Sequence, residues 1–196
     1  MLEPFIVLIT ATALLLGSPG PAPLALAATG ATFGVKKGIP FLAGILFGLS
    51  VAIIGATAGL VALFSQFPNF RFVCQIAGGA YMLYIAYKIA SAPVITSQGN
   101  QVAPSFKDGF ILNLLNPKAY AAFLAIFSKF LLPFSDINIG YIMTGLTCLV
   151  VATVVDALWL IFGGLLRPVF SKPKQARIIR IIFAALMLIA VVYTLV

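Results

Sequence analysis

The sequence predicts an all-α integral membrane protein of six transmembrane helices, arranged as a 3+3 inverted-topology repeat with broken first and fourth spans. Three observations carry that prediction. The 196 residues are 62% hydrophobic and only 8% charged, against roughly 25% charge in an ordinary soluble domain. The apolar residues gather into six runs, at 5–28, 39–65, 72–90, 109–131, 139–166 and 178–196, and a helix needs about 20 such residues to cross a bilayer. Two proline motifs, Ser18-Pro19 and Asn116-Pro117, lie 98 residues apart, half the chain, each inside the first run of its half.

The elements follow in order. The first run begins beside Glu3 rather than a basic segment, and Pro19 and Pro21 interrupt it. Although Ala25-Leu26-Ala27 imitates a signal-peptidase site, the run is therefore expected to remain as a span. The second run carries Gly44 and Gly48, then Gly55 and Gly59, at the GxxxG spacing that lets helices approach closely. In the third, Gly78-Gly79 followed by Tyr81, Tyr84 and Tyr87 reads as packing plus an interfacial anchor. A segment rich in Pro, Ser, Gly and Gln at 93–105 is the linker, dividing a first half at 1–92 from a second at 106–196. The fourth run contains Asn116-Pro117 and the fifth contains Asp156; Arg177 and Arg180 precede the sixth, where they fix topology or meet lipid headgroups. All six runs are continuously apolar, whereas a membrane β-barrel needs shorter segments of alternating polarity.

Counting basic residues near the span ends orients the chain. One side receives nine (Lys36, Lys37, Lys88, Lys107, Arg167, Lys172, Lys174, Arg177 and Arg180), the other only two, Arg71 and Lys129. Both termini are thus expected on the non-cytoplasmic side. With three spans per half, the second half enters the membrane from the opposite face, which makes the repeat inverted. The net charge of +8 belongs to these loops, and no soluble basic domain is present to bind nucleic acid. Cys74 and Cys148 sit inside apolar runs, without the spacing of a redox pair or metal site, and there is no His. Neither a metal nor another cofactor is expected.

A proline inside a helix removes a backbone hydrogen bond and clashes with the preceding turn, which is costly where no water can repair the loss. Ser18 and Asn116 are good N-cap residues, and a proline directly after each fits the first helical position. Each motif therefore reads as the start of a half-helix near the midplane, with amides of Gly20 and Ala22 on one side and of Lys118 and Ala119 on the other turned towards a ligand. Gly20 allows close approach, while Pro21 and Pro23 keep the segment from closing into a uniform helix. The alternative is a pair of structural kinks. Paired breaks at corresponding positions point to a transporter's binding site, where half-helix N-termini hold a substrate carboxylate.

Two charges lie deep in the spans: Lys118 is ten residues from Asp108, and Asp156 is eleven from Arg167. At about 1.5 Å per residue the two reach similar depths. A charge at a span centre costs about 2.5–3.5 kcal/mol on insertion scales, so a mutual pair is the natural arrangement. Such a pair either pins two helices together or works on a solute. In the second reading Asp156 takes a coupling proton or a substrate ammonium, and Lys118 attracts a carboxylate or balances Asp156. Asn113, one turn before Pro117, presents an amide to the same cavity or to a neighbouring helix. The candidate binding residues are Ser18, Pro19, Gly20, Pro21, Asn113, Asn116, Pro117 and Lys118, with Asp156 for coupling.

Three stretches then carry a family resemblance over essentially the whole chain: Pro19-Gly20-Pro21; Ala77-Gly78-Gly79-Ala80-Tyr81-Met82-Leu83-Tyr84; and Gly109-Phe110 followed by Asn113-Leu114-Leu115-Asn116-Pro117-Lys118-Ala119. In order and spacing the sequence resembles the LysE/RhtB family of amino-acid exporters. The resemblance implies a plasma-membrane carrier of the bacterial inner-membrane type, not an enzyme. It would export amino acids or related small solutes and be driven by the proton-motive force, so its partners would be the solute, protons and membrane lipid; a homo-oligomer is compatible with the chain. Pro23 adds a third proline to the motif, and Tyr120-Ala121-Ala122 replaces longer aromatic and acidic versions, which leaves side-chain specificity open. Two rival readings are a membrane scaffold without transport activity and a thiol-disulfide electron carrier. The latter needs cysteines at equivalent positions, but Cys74 and Cys148 are 74 residues apart rather than 98. No Gly-rich phosphate loop is present, so ATP drive would require a separate motor subunit.

Overall fold

The computed structural model describes residues 2–58 and 102–166, together with isolated positions between 73 and 87 and between 168 and 189. Six helices are laid out within the described residues: α1 (Leu2–Gly17), α2 (Pro21–Phe33), α3 (Val35–Thr57), α4 (Phe106–Leu114), α5 (Pro117–Lys129) and α6 (Ile137–Leu165). No strand occurs among them. α3 and α6, with 23 and 29 residues, are each long and apolar enough to cross a membrane. α1 with α2, and α4 with α5, form apolar pairs bent by 67° and 59°. These four units correspond to the first, second, fourth and fifth runs. The third and sixth runs, most of the 93–105 linker, and the motif at 77–84 apart from its helical positions 80, 83 and 84 lie outside the described residues.

Both bends come from proline. Pro19 and Pro21 each push the preceding residue out of the helical region, and Gly20 is accordingly extended (φ −171°, ψ −179°) as the cap of α2. The helix resumes at Pro21, two residues later than the expected restart with Ser18 as cap and Pro19 in the first turn. One proline would have allowed that restart; the second forbids it. In the other half the expectation holds. Asn116 caps α5, its Oδ1 accepting from the Lys118 N–H at 3.1 Å, with Pro117 in the first position. The carbonyl of Leu114, orphaned at the end of α4, accepts from the Tyr120 hydroxyl at 2.8 Å, a repair that buried backbone requires. α4 itself starts on a capping box, in which Ser105 Oγ accepts from the Asp108 N–H and the Asp108 carboxylate accepts from the Ser105 N–H at 2.8 Å.

α2 lies at the centre, with every residue from Pro21 to Thr32 buried. A single residue, Gly34, turns α2 into α3 with φ 85°, a left-handed conformation that favours glycine. α6 is two-faced. Ile142, Leu146, Val150, Val154 and Leu158 form an exposed stripe at four-residue spacing, suited to lipid, while Gly140, Thr144, Cys148, Ala152, Asp156, Leu160 and Gly163 are buried on the other side.

Two glycine seams set the closest approaches. Where α2 meets α6, a Cβ on Gly30 would strike the Leu160 carbonyl and one on Gly163 the Ala27 carbonyl; where α3 meets α4, Gly44 stands against the Phe106 carbonyl and Gly109 against that of Phe41. Small residues at such crossings let dispersion act between backbones where lipid supplies no hydrophobic drive. Packing divides into two clusters, one around Leu24–Ala28, Phe41, Ile45, Leu112 and Leu160, the other around Leu8, Leu49, Phe123, Ile126, Cys148 and Ala152. Cys148 is buried with its thiol 3.5 Å from Thr12 Oγ1; Cys74 lies outside the described residues.

Candidate functional site

The two bends meet. The Lys118 side chain leaves the first turn of α5, crosses to the break between α1 and α2, and donates to the Ser18 carbonyl at 2.6 Å and to Ser18 Oγ at 2.9 Å. Gly20 makes room for it, since a Cβ there would stand 2.9 Å from Lys118 Nζ and 3.0 Å from its Cδ. The carbonyl of Gly17, also left open by the break, accepts from the Trp159 indole N–H at 3.1 Å. Side chains from α5 and α6 thus satisfy the unwound backbone of the first span.

Beside this crossing is a cavity of about 20 Å³ lined by Leu16, Ala22, Pro23, Leu49, Asn113, Asn116, Lys118, Ala119, Ala152 and Asp156. That volume holds about one water, less than an amino acid needs. Four polar side chains line it; Asn116 caps α5, and the other three have different roles. Asp156 is 7% exposed and makes no hydrogen bond or ion pair among the described residues. Asn113 is 2% exposed, and its amide nitrogen has no partner. Lys118 is the charge acting on Asp156, and Asp156 the charge acting on Lys118. The ammonium is nonetheless bonded to Ser18. The mutual pair expected from the sequence is therefore a shared cavity rather than a direct contact.

The backbone amides expected to face a ligand are fewer than foreseen. The Lys118 N–H is taken by Asn116 Oδ1, and the Ala119 N–H donates to the Asn116 carbonyl at 3.1 Å. In the first turn of α2, Pro21 and Pro23 have no N–H, which leaves Ala22 as the one amide donor there; it is buried and lines the cavity. Charge and side-chain amide, more than helix ends, give this cavity its polarity.

Of the residues singled out in the sequence, Asn113, Asn116, Lys118 and Asp156 line the cavity. Ser18 and Gly20 reach it through Lys118. Pro19 is exposed in the break and Pro21 is buried at the start of α2, neither among the cavity-lining residues, and Pro117 opens α5. Sequence reasoning missed Leu16, Leu49 and Ala152 as wall residues, and Trp159 as the support of Gly17. Ala152 was within reach, being one helical turn before Asp156 and so on the same face. The lone tryptophan of the chain, three residues after Asp156, was another signal, because a buried indole N–H seeks an acceptor. Nothing in their own neighbourhoods marks Leu16 or Leu49.

Comparison with known proteins matches the LysE type translocator family over residues 13–196. A leucine efflux protein of an Enterobacter species is 28% identical over 169 residues, covering 80% of this chain and 77% of that protein. A homoserine/homoserine lactone efflux protein of Salmonella typhimurium is 27% identical over 190 residues, covering 94% and 92%. An uncharacterised membrane protein of Pseudomonas aeruginosa is 28% identical over 173 residues. No solved structure matches. With a match running from within the first helix to the last residue, and with paired helix breaks beside a polar cavity, this chain belongs to the LysE type translocator family, membrane transporters rather than enzymes.

Proposed function

We propose that the protein is a secondary active exporter of amino acids or related small zwitterionic solutes, coupled to protons and working by alternating access at the cavity between the two bends. One observation carries this reading: Asp156, Asn113 and Lys118 converge from α6, α4 and α5 on one space, with the amide nitrogen unpartnered and the acid without a hydrogen bond or ion pair among the described residues. Burying a charge in a span costs about 2.5–3.5 kcal/mol, and a purely structural pair would recover this by direct contact. Here the ammonium is parked on Ser18 and the carboxylate waits. A solute carboxylate draws Lys118 from Ser18, and Asp156 takes either the solute ammonium or, on the other leg of the cycle, a proton. The efflux names of the two related proteins agree with this direction of transport.

In this reading the chain forms six spans in two inverted halves, in a plasma membrane of the bacterial inner-membrane type with both termini outside. The halves rock about the cavity, and opening makes the volume that the closed form lacks. The test is efflux of a mixed labelled amino-acid pool from proteoliposomes, with and without an imposed pH gradient, for the intact protein and Asp156→Asn. Efflux that depends on the gradient and is lost in a normally inserted variant is the expected result. Undiminished, gradient-dependent efflux by Asp156→Asn would sink the assignment of that residue.

A further inference from the structure

We infer that the cavity selects neutral amino acids with apolar side chains, requires a free carboxylate, and rejects both dibasic and acidic amino acids. This rests on the reading above, that the cavity carries an amino-acid-like solute, and it names the class.

The selected class follows from the charges that the described helices bring to the cavity. The chain has only four acids. Glu3, Asp108 and Asp136 stand in or just before the first turns of α1, α4 and α6, and Asp156 alone lies inside a span. Asp108, five residues from Asn113, has its carboxylate committed to the Ser105 N–H and hydroxyl at 2.8 and 2.9 Å. Among the described cations, Lys36 and Lys37 begin α3, Lys129 ends α5, and only Lys118 reaches the cavity. Among the described residues the cavity thus offers one positive charge and one negative charge, with the Asn113 amide nitrogen, unpartnered at 2% exposure, as a neutral donor beside them; Asn116 also lines it, its Oδ1 already taken by the Lys118 N–H.

A zwitterion uses that set completely: its carboxylate meets Lys118 and Asn113, and its ammonium meets Asp156. A lysine or arginine solute brings a second cation with no carboxylate to receive it, and a glutamate brings a second anion with no cation. One unmatched charge in mid-span is disfavoured by about a hundredfold. Apart from the cap residue Asn116, the rest of the described wall, Leu16, Ala22, Pro23, Leu49, Ala119 and Ala152, is aliphatic, so the side chain that fits beside the charges is apolar.

The experiment is counterflow into proteoliposomes containing the intact protein. Vesicles are loaded with unlabelled leucine, lysine, arginine, glutamate, leucine methyl ester or isopentylamine, the last being leucine without its carboxylate, and entry of labelled leucine is followed. Leucine should drive entry at least about thirtyfold faster than lysine, arginine or glutamate, and the ester and the amine should drive none. A Leu49→Asp variant, which adds a second carboxylate to the wall, should gain counterflow with lysine. If lysine or glutamate drives entry as well as leucine does in the intact protein, the inference is overturned while amino-acid transport stands. Equal drive by the methyl ester would remove the role given to Lys118. If lysine alone drives entry of labelled lysine and leucine does nothing, the class is wrong; if no amino acid moves at all, the proposed function itself fails.

Discussion

Lys118 and Asp156 are worth most as a pair of charges that face the same space without touching. Removing one leaves the other buried without compensation, a change that destabilises folded proteins by about 3 kcal/mol. Lys118→Met should therefore lower thermal stability in detergent, and so should Asp156→Asn to a lesser extent, because an amide needs no counter-charge. The double variant should recover most of the stability lost in Lys118→Met and none of the transport. Additive losses in stability would show that the two charges do not sense one another. At this scale the sequence was only partly legible. Depth along the helices placed both residues at one level, since rise per residue is regular. The contact between Lys118 and Ser18 spans 100 positions and depends on how far a long side chain can reach past Gly20, which no local pattern encodes.

At the scale of the helices, proline and glycine do most of the determining. Pro19, Pro21 and Pro117 break two spans by removing donors and by forcing extended backbone ahead of them. The breaks were legible because this effect is local; the restart at Pro21 rather than Pro19 was missed because consecutive prolines act together. Gly44 and Gly48 announced a close helix contact through their spacing, and α4 fills it. Gly30 and Gly163 gave no such notice, as each contributes one glycine to a crossing between α2 and α6 that only tertiary structure defines. Gly163→Leu should force these helices apart at the Ala27 carbonyl and prevent accumulation of folded protein, measured as loss of the monodisperse peak in detergent. Val150→Leu, on the exposed stripe of α6, should leave that peak unchanged. If both variants behave alike, the α2–α6 seam is not a determinant of folding.

For the molecule as a whole, the proposed orientation makes a prediction independent of transport. In a variant lacking Cys74 and Cys148, Leu2→Cys should react with a membrane-impermeant maleimide in intact cells, whereas Lys37→Cys should react only after permeabilisation. The reverse pattern would invert the topology. The membrane class was legible from composition and the long apolar runs, because the bilayer permits so few solutions to backbone hydrogen bonding. Which helices enclose α2 was not legible, since every run is apolar enough to face either lipid or protein.

The balance of one cation and one anion at the cavity also has an electrical consequence. In the proposed cycle, with Asp156 ionised and a zwitterion bound, the outward-moving site would carry no net charge; with Asp156 protonated and the solute gone, Lys118 would leave it one positive charge. Moving one elementary charge through a potential is worth about 2.3 kcal/mol per 100 mV, so an interior-negative voltage pulls only the empty, protonated carrier inward. Turnover measured in vesicles clamped with potassium and valinomycin should rise with that voltage, and exchange of solute for solute, which never uses the empty leg, should not respond to it.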